Sequence, residues 1–417
     1  MTLSRDILSR DILAARDATD ALAAFRDRFT LPDGVLYLDG NSLGALPRAT
    51  AARVAAVVTQ EWGTGLIRSW NDAGWIDLAT RVGDKIARLV GAAPGSVVVA
   101  DSTSVNLFKL LGAALALRPE RRVILSEQGN FPTDLYIAEG LAALLERGHR
   151  LRTVRWDEIL GAIDDDVAVV MLTQVNYHTG RLHDMAEITR AAHAKGALVL
   201  WDLAHTAGAL PVQLAACDVD FAVGCGYKFL NGGPGAPAFL HVNPRLQETV
   251  RFPITGWFGH AAPFAFEPSF RAGSGMAGAL VGTPPVLSLS ALEVGVDLAL
   301  EADLALIRAK SVAMTEAFAD LVQTRCAGHG LQLASPADAA ARGSQVCLAH
   351  PQAYAIMQAL IARGVIGDFR APDILRFGIT PLYLRFADLW DAVEILRDVL
   401  DSGVWREERF QVRRAVT

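Results

Sequence analysis

The chain is 417 residues long, 52% hydrophobic and 20% charged, with a net charge of −6. That is an ordinary globular composition with a large core and room for two domains, and the absence of any long basic block argues against nucleic acid as a partner. The four cysteines (Cys217, Cys225, Cys326 and Cys347) are widely spaced with no CxxC pair, which fits free thiols in a reducing compartment and no zinc site.

The first thirty residues mix Arg and Asp with apolar residues at helical spacing. LSRDI is repeated at residues 3–7 and 8–12, a duplication inside one amphipathic helix. No secretory h-region is present, so a cytoplasmic location is expected. Val35–Leu38 reads as a short strand before the turn-rich Asp39–Gly44. Helices are expected over about Pro47–Trp62 and Ile76–Val90. Apolar runs then occur at Val97–Ala100, Val123–Leu125, Val167–Leu172, Ala197–Trp201, Phe221–Val223 and Pro237–Val242. Helix-period segments separate most of them, at Val105–Leu117, Thr133–Arg147, Asp184–Lys195 and, weakly, Val212–Cys217. Strands alternating with helices predict an α/β fold, its mostly parallel sheet covered on both faces.

The longest uncharged run, Ala272–Leu292, holds four glycines and two prolines and is too broken to span a membrane. Beyond Pro285 helices are expected over Val286–Phe318, Pro351–Arg363 and Leu389–Leu400, with strands near Gln345–Ala349 and Leu375–Gly378. The expected division is an N-terminal segment, residues 1–45, associated with the small domain; a large domain, 46–290; and a smaller α+β domain, 291–417.

In open α/β sheets, ligands bind beyond the carboxyl ends of the strands, so the residues just past each apolar run are the candidates for chemistry. Asp101-Ser-Thr-Ser comes after the first and opens a helix, a ready phosphate site. Phe131 and Asp134 come after the second, Thr173 after the third, and Asp202 after the fourth. Lys228 comes after the fifth, inside the Gly-rich FAVGCGYKFLNGGPG (221–235), whose glycines let backbone approach a ligand closely. Singly, each has a plain reading: Ser102 and Thr103 as helix caps, Phe131 as core, Asp202 as a turn residue, Lys228 as a solvated lysine. Jointly they supply a phosphate cup, an aromatic ring, a hydroxyl, a carboxylate and an amine. Pyridoxal 5′-phosphate requires that set: a desolvated lysine for its aldehyde, a carboxylate on its ring nitrogen, a ring on its face and a seat for its phosphate.

Other motifs carry less. Gly273–Gly278 spells GxGxxG but sits behind no apolar strand, and prolines interrupt any helix after it. His178 and His183 flank a Thr-Gly turn and are not spaced as a metal pair, so no metal is expected. His193 reads as a surface residue.

Over most of its length, from Tyr37–Gly44 to Arg376, the sequence resembles the kynureninases. These are fold-type I pyridoxal-phosphate enzymes related to the class V aminotransferases. The segments carrying the resemblance are Asn130–Asp134, Asn176–Arg181, Trp201–His205, Gly224–Asn231, Gly256–Gly259 and Gly282–Pro285. Thr133 and Thr173 stand where many members carry serine, and both keep the hydroxyl. The resemblance implies that Lys228 binds the cofactor aldehyde, Asp202 pairs with the ring nitrogen and Phe131 stacks on the ring. Asp134, Thr173 and His205 would line the cofactor, and Ser102, Thr103 and Tyr227 would hold its phosphate, Tyr227 also relaying a proton. Trp257 and Thr283 would reach the phosphate from the neighbouring subunit of a homodimer with shared sites. Arg376 would clamp the α-carboxylate of a small amino-acid substrate, as a bidentate guanidinium suits. The implied reaction is Cβ–Cγ hydrolysis of L-kynurenine to anthranilate and L-alanine, in tryptophan degradation. Whether 3-hydroxy-L-kynurenine is preferred stays open, with Arg68, Trp70, Asn71 and Trp75 as aryl-pocket candidates.

Two rivals share the fold. A cysteine desulfurase would need a reactive cysteine in the small domain, for which Cys347 is the candidate, and a class V aminotransferase would need a keto-acid acceptor. A non-catalytic protein on the same fold would be expected to lack Lys228 or Asp202, and both are present.

Overall fold

The computed structural model describes residues 8–413, so the first LSRDI copy lies outside the described residues. The described chain forms two compact units. One comprises Ala49–Tyr177 and Leu182–Glu301. The other comprises the described residues up to Arg48, together with His178–Arg181 and those from Ala302 on.

The larger unit is built on seven strands: β1 (Val97–Val99), β2 (Val123–Glu127), β3 (Arg150–Val154), β4 (Val167–Thr173), β5 (Leu198–Asp202), β6 (Phe221–Cys225) and β7 (Ala238–Val242). Their order in the sheet is β1-β7-β6-β5-β4-β2-β3. The contacts among β6, β5, β4, β2 and β3 are parallel, and β7 runs antiparallel to both its neighbours. Every residue of β4, β5, β6 and β7 is buried. Continuous Val/Leu/Ala/Phe runs suit a sheet covered on both faces, so this part was open to reading from apolar runs alone. Helices Leu78–Leu89, Thr103–Leu117, Pro132–Leu145, Met185–Ala194 and Val286–Glu301 accompany it.

The structure differs from the expected elements in identifiable places. Strand β3, Arg-Leu-Arg-Thr-Val, was not expected: it is the edge strand, only half-buried, and its arginines break the apolar signal. Val212–Cys217 holds turns and no helix. The stretch expected to be helix-rich, Val286–Phe318, holds two helices, Val286–Glu301 and Leu304–Arg325, the second capped by Asp303, which accepts from the Ala305 amide at 2.7 Å. The helix expected over Pro47–Trp62 is α-helical over Arg48–Ala56 and widens to a π-helix over Val57–Gly65. Among the described residues the N-terminal helix covers Arg10–Asp17 and is followed by a 3₁₀ turn, Ala23–Arg28. No helix among the described residues is long and apolar enough to cross a membrane.

The smaller unit is α+β. Strands β8 (Gln332–Leu333), β9 (Gln345–Ala349), β10 (Asp368–Arg370) and β11 (Ile374–Gly378) form an antiparallel sheet in the order β8-β9-β11-β10. Helices Arg10–Asp17, Leu304–Arg325, Ala353–Ile361 and Phe386–Ser402 belong to the same unit. The short strand Leu36–Tyr37 pairs in parallel with Val365–Ile366.

Candidate active site

Parallel strands end on one edge of their sheet, so the residues after β1, β2, β4, β5 and β6 are brought together whatever their separation in sequence. They line a cavity of about 500 Å3 whose wall includes Ser102, Thr103, Phe131, Asp134, Thr173, Asp202, His205, Tyr227 and Lys228. Nine of the twelve predicted site residues therefore meet in one place.

Lys228 lies just past β6 and is half-buried. Its Nζ lies 3.1 Å from His205 Nε2, with the ring centroids of Phe131 and Tyr227 at 5.9 and 5.8 Å. Asp202 ends β5, paired in register with Thr173 at the end of β4, so their side chains share one face of the sheet. Its carboxylate accepts from the Ala204 amide at 2.7 Å. Ser102 caps the helix Thr103–Leu117, its hydroxyl accepting from Val105 N–H at 3.3 Å. The amides of that helix's first turn have no intrahelical acceptor and suit an anion.

Burial dominates the electrostatics. Burial and the neighbouring Asp202 push the Asp134 carboxyl well above the usual carboxylate range, with Lys228 opposing. Burial also raises Asp202, against Lys228 and the Ala204 amide. Two adjacent carboxyls out of water call for a cation beside one of them. A protonated ring nitrogen held at Asp202 would supply it. Asp134 Oδ2 and Thr173 Oγ are buried in the cavity wall with no hydrogen-bond partner, and a polar planar ligand would satisfy both. The donor set thus fits pyridoxal phosphate on charge and on unfilled hydrogen bonds.

The aromatic wall is held from behind. Phe131 N–H donates to Asn130 Oδ1 at 2.7 Å; Asn130 Nδ2 donates to Ser126 Oγ at 3.0 Å, and Ser126 to the Met171 carbonyl at 2.7 Å. Glu127, buried, meets His183 Nε2 at 2.9 Å and accepts from Asn176 at 3.2 Å. This ties the loop after β2 to the loop after β4, where Tyr177 packs edge-on against Phe131 at 5.2 Å. Sequence inspection assigned nothing to Glu127 or His183. Their only signal was position, a carboxylate at a strand end and a histidine two residues after Gly-Arg. His193, expected at the surface, is three-quarters buried and binds Asp220 at 2.8 Å.

Three predicted residues lie outside the cavity. Trp257 and Thr283 are both exposed; Trp257 sits in an aromatic group with Phe258, Phe264 and Phe266. Arg376 belongs to the smaller unit, on β11 opposite Asp368 of β10. Asp368 grips it with both carboxylate oxygens, Nε to Oδ1 measuring 2.8 Å, while Nη2 donates to Ser42 at 2.8 Å. Asp39 is drawn into this group: burial and Asp368 push its carboxyl up to about 7, against Ser42 and Arg376. The Tyr37–Gly44 segment thus has a structural role around Arg376 that its sequence left unassigned.

Of the aryl-pocket candidates, none lines the cavity. Trp70 and Trp75 pack edge-on at 6.2 Å, Trp75 donates to Glu61 at 2.7 Å, and Arg68 donates to the Gly65 and Thr64 carbonyls. Gly226, expected to admit a ligand, instead admits its own sheet: a Cβ there would sit 2.5 Å from the Pro237 carbonyl oxygen. Cys347 is fully buried on β9, and burial pushes its thiol up to about 11, which disqualifies it as a ready nucleophile.

The chain matches the family model described as the kynureninase C-terminal domain over residues 307–396. It is 54% identical over 414 residues to a kynureninase of Pseudomonas fluorescens, covering 98% of this chain and all of that protein. Among solved structures it resembles an apo cysteine desulfurase from Thermococcus onnurineus, with a TM-score of 0.77 at 14% identity, covering 91% of this chain and 98% of that one. It also resembles a C-DES variant with glycine covalently linked to its PLP cofactor, with a TM-score of 0.77 at 16% identity, covering 89% and 99%. At such identities the two structures speak for the fold alone.

Proposed function

The chain belongs to the kynureninase family and carries out pyridoxal-phosphate-dependent hydrolysis of L-kynurenine, and we propose that the residues at its strand ends divide that reaction among them. The observation that carries this division is the cavity in which Lys228, Asp202, Asp134, Thr173 and Phe131 converge. Desulfurases share the fold at 14% identity, and buried Cys347 gives no support to their chemistry here.

When bound, pyridoxal phosphate supplies an aldehyde for the substrate amine and an electron sink for the bonds at its Cα. Lys228 would hold the cofactor's aldehyde and, once free, take the substrate Cα proton on Nζ. His205, 3.1 Å from that nitrogen, orients it. Asp202 would hold a proton on the cofactor's ring nitrogen, and Asp134 and Thr173 would bind the group through their unfilled hydrogen-bonding atoms. Phe131 would cover the cofactor ring and exclude water from it. Ser102, Thr103 and Tyr227 would hold the phosphate, and the Tyr227 hydroxyl would move the proton of the water that attacks the γ-carbonyl. Arg376 clamps the substrate α-carboxylate, its plane fixed by Asp368 and Ser42.

We further propose a cytoplasmic homodimer in which Trp257 and Thr283 complete the partner's site. Their exposure on the site-bearing unit, outside the cavity, supports this, and the four free cysteines support the compartment.

Lys228→Ala tests the assignment. The variant is expected to bind cofactor without its long-wavelength protein-bound absorbance and to release no anthranilate or alanine from kynurenine. A variant keeping both the absorbance and turnover would end it.

A further inference from the structure

The helix Thr103–Leu117 presents its N-terminus to the cavity, yet the residue just before its cap, Asp101, is an acid that also lines the cavity. An uncompensated carboxylate at the phosphate end would repel a dianion. Asp101 is also one of the few non-glycine residues at positive φ, +50°, a conformation L-residues rarely hold without support. The support comes from Lys109, two turns along the helix. Its side chain is wholly buried, and its ammonium pairs with Asp101 Oδ2 and donates to the Ala279 carbonyl at 2.7 Å. A lysine here opposes the helix dipole and is out of water. Burial accordingly lowers its pKa, against Asp101. The hydrolysis of kynurenine gives it no task.

We propose that Lys109 is a positioning residue for the cofactor phosphate: it cancels the charge of Asp101 and holds the turn that aims the helix N-terminus into the cavity. Side chains lean toward the N-terminus of a helix, so the ammonium reaches back to the phosphate end. Its bond to Ala279 extends the same anchor to the segment that leads, four residues on, to Thr283. The inference rests on the phosphate of pyridoxal phosphate lying at this helix, in the seat formed by Ser102 and Thr103.

Equilibrium dialysis of the full chain against pyridoxal 5′-phosphate and against pyridoxal, which lacks the phosphate, separates the possibilities. Lys109→Met is expected to weaken pyridoxal phosphate by about tenfold or more, the scale of one uncompensated charge in a partly solvated site. It should leave pyridoxal binding unchanged. Asp101→Asn combined with Lys109→Met removes both charges and is expected to restore pyridoxal phosphate affinity to within roughly threefold of wild type. Equal weakening of both ligands, no weakening at all, or a double variant as poor as the single would overturn the inference. If Lys109→Met alone does not fold, the double variant decides by the same threshold. Wild-type protein that held pyridoxal as tightly as pyridoxal phosphate would instead count against the phosphate seat itself, whatever Lys109 does.

Discussion

Individual side chains here are set by what burial does to charge. Asp39 shows it with a readable titration. Its carboxyl is pushed up to about 7, first by burial and then by Asp368, while an unfolded Asp titrates near 3.9. The folded state therefore binds the extra proton between those values, and this group's contribution to stability is full below about 4 and lost as pH rises to about 7. Asp39→Asn removes that dependence. Its Tm relative to wild type is expected to rise steadily from pH 4 to pH 7 and then level, measured by thermal denaturation across buffers. A constant offset would show that the carboxyl titrates normally. None of this was legible in Asp39-Gly-Asn-Ser, because the groups that perturb the residue, Asp368 and Arg376, are more than 300 positions away.

Elements are placed by a few contacts that permit no substitute. Gly295, inside the helix Val286–Glu301, has its Cα against the backbone just past Lys228: a Cβ would lie 2.0 Å from the Leu230 carbonyl oxygen. Gly→Ala within a helix ordinarily gains about 1 kcal/mol, whereas forcing an atom into a packed contact costs about 1–3 kcal/mol. The clash is with backbone and should win. Gly295→Ala is expected to lower Tm and to alter the bound-cofactor absorbance, since the displaced segment carries Lys228. A Tm above wild type would mean that the helix moves off freely. In the smaller unit Asp17 accepts from the Phe386 and Ala387 amides at 2.6 and 2.9 Å, closing the first turn of the helix Phe386–Ser402 from outside it. Asp17→Ala is expected to cost about 1–2 kcal/mol, as loss of a helix cap does, read as a lowered urea midpoint. The helix was visible in the sequence from its periodicity; its distant cap was not.

At the scale of the whole molecule, sites shared between two chains have an arithmetic signature. On the proposed shared site, Lys228→Ala and Trp257→Ala would remove different contributions. If each site takes Lys228 from one chain and Trp257 from the other, mixed dimers have one intact site in two. Co-refolding equal amounts is expected to recover about a quarter of wild-type turnover, since half the dimers are mixed. Recovery no greater than the sum of the separate variants would place both residues in one chain's site. Light scattering of the unmixed protein is expected to give twice the 44.6 kDa chain mass.

What the sequence by itself determined is the fold class and nine residues that line one cavity. The reason is geometric: buried parallel strands announce themselves as apolar runs, and their C-terminal ends fall on one edge, so reading the residue after each run reads the cavity wall. Edge strand β3 escaped that reading because an exposed edge needs no apolar run. Tertiary structure alone decided how the wall is charged and held. Asp134 and Asp202 interact across one cavity wall, Glu127 meets His183 across 56 positions, and Lys109 meets the Ala279 carbonyl across 170. These pairings arise from packing between segments whose local sequences carry no mark of one another.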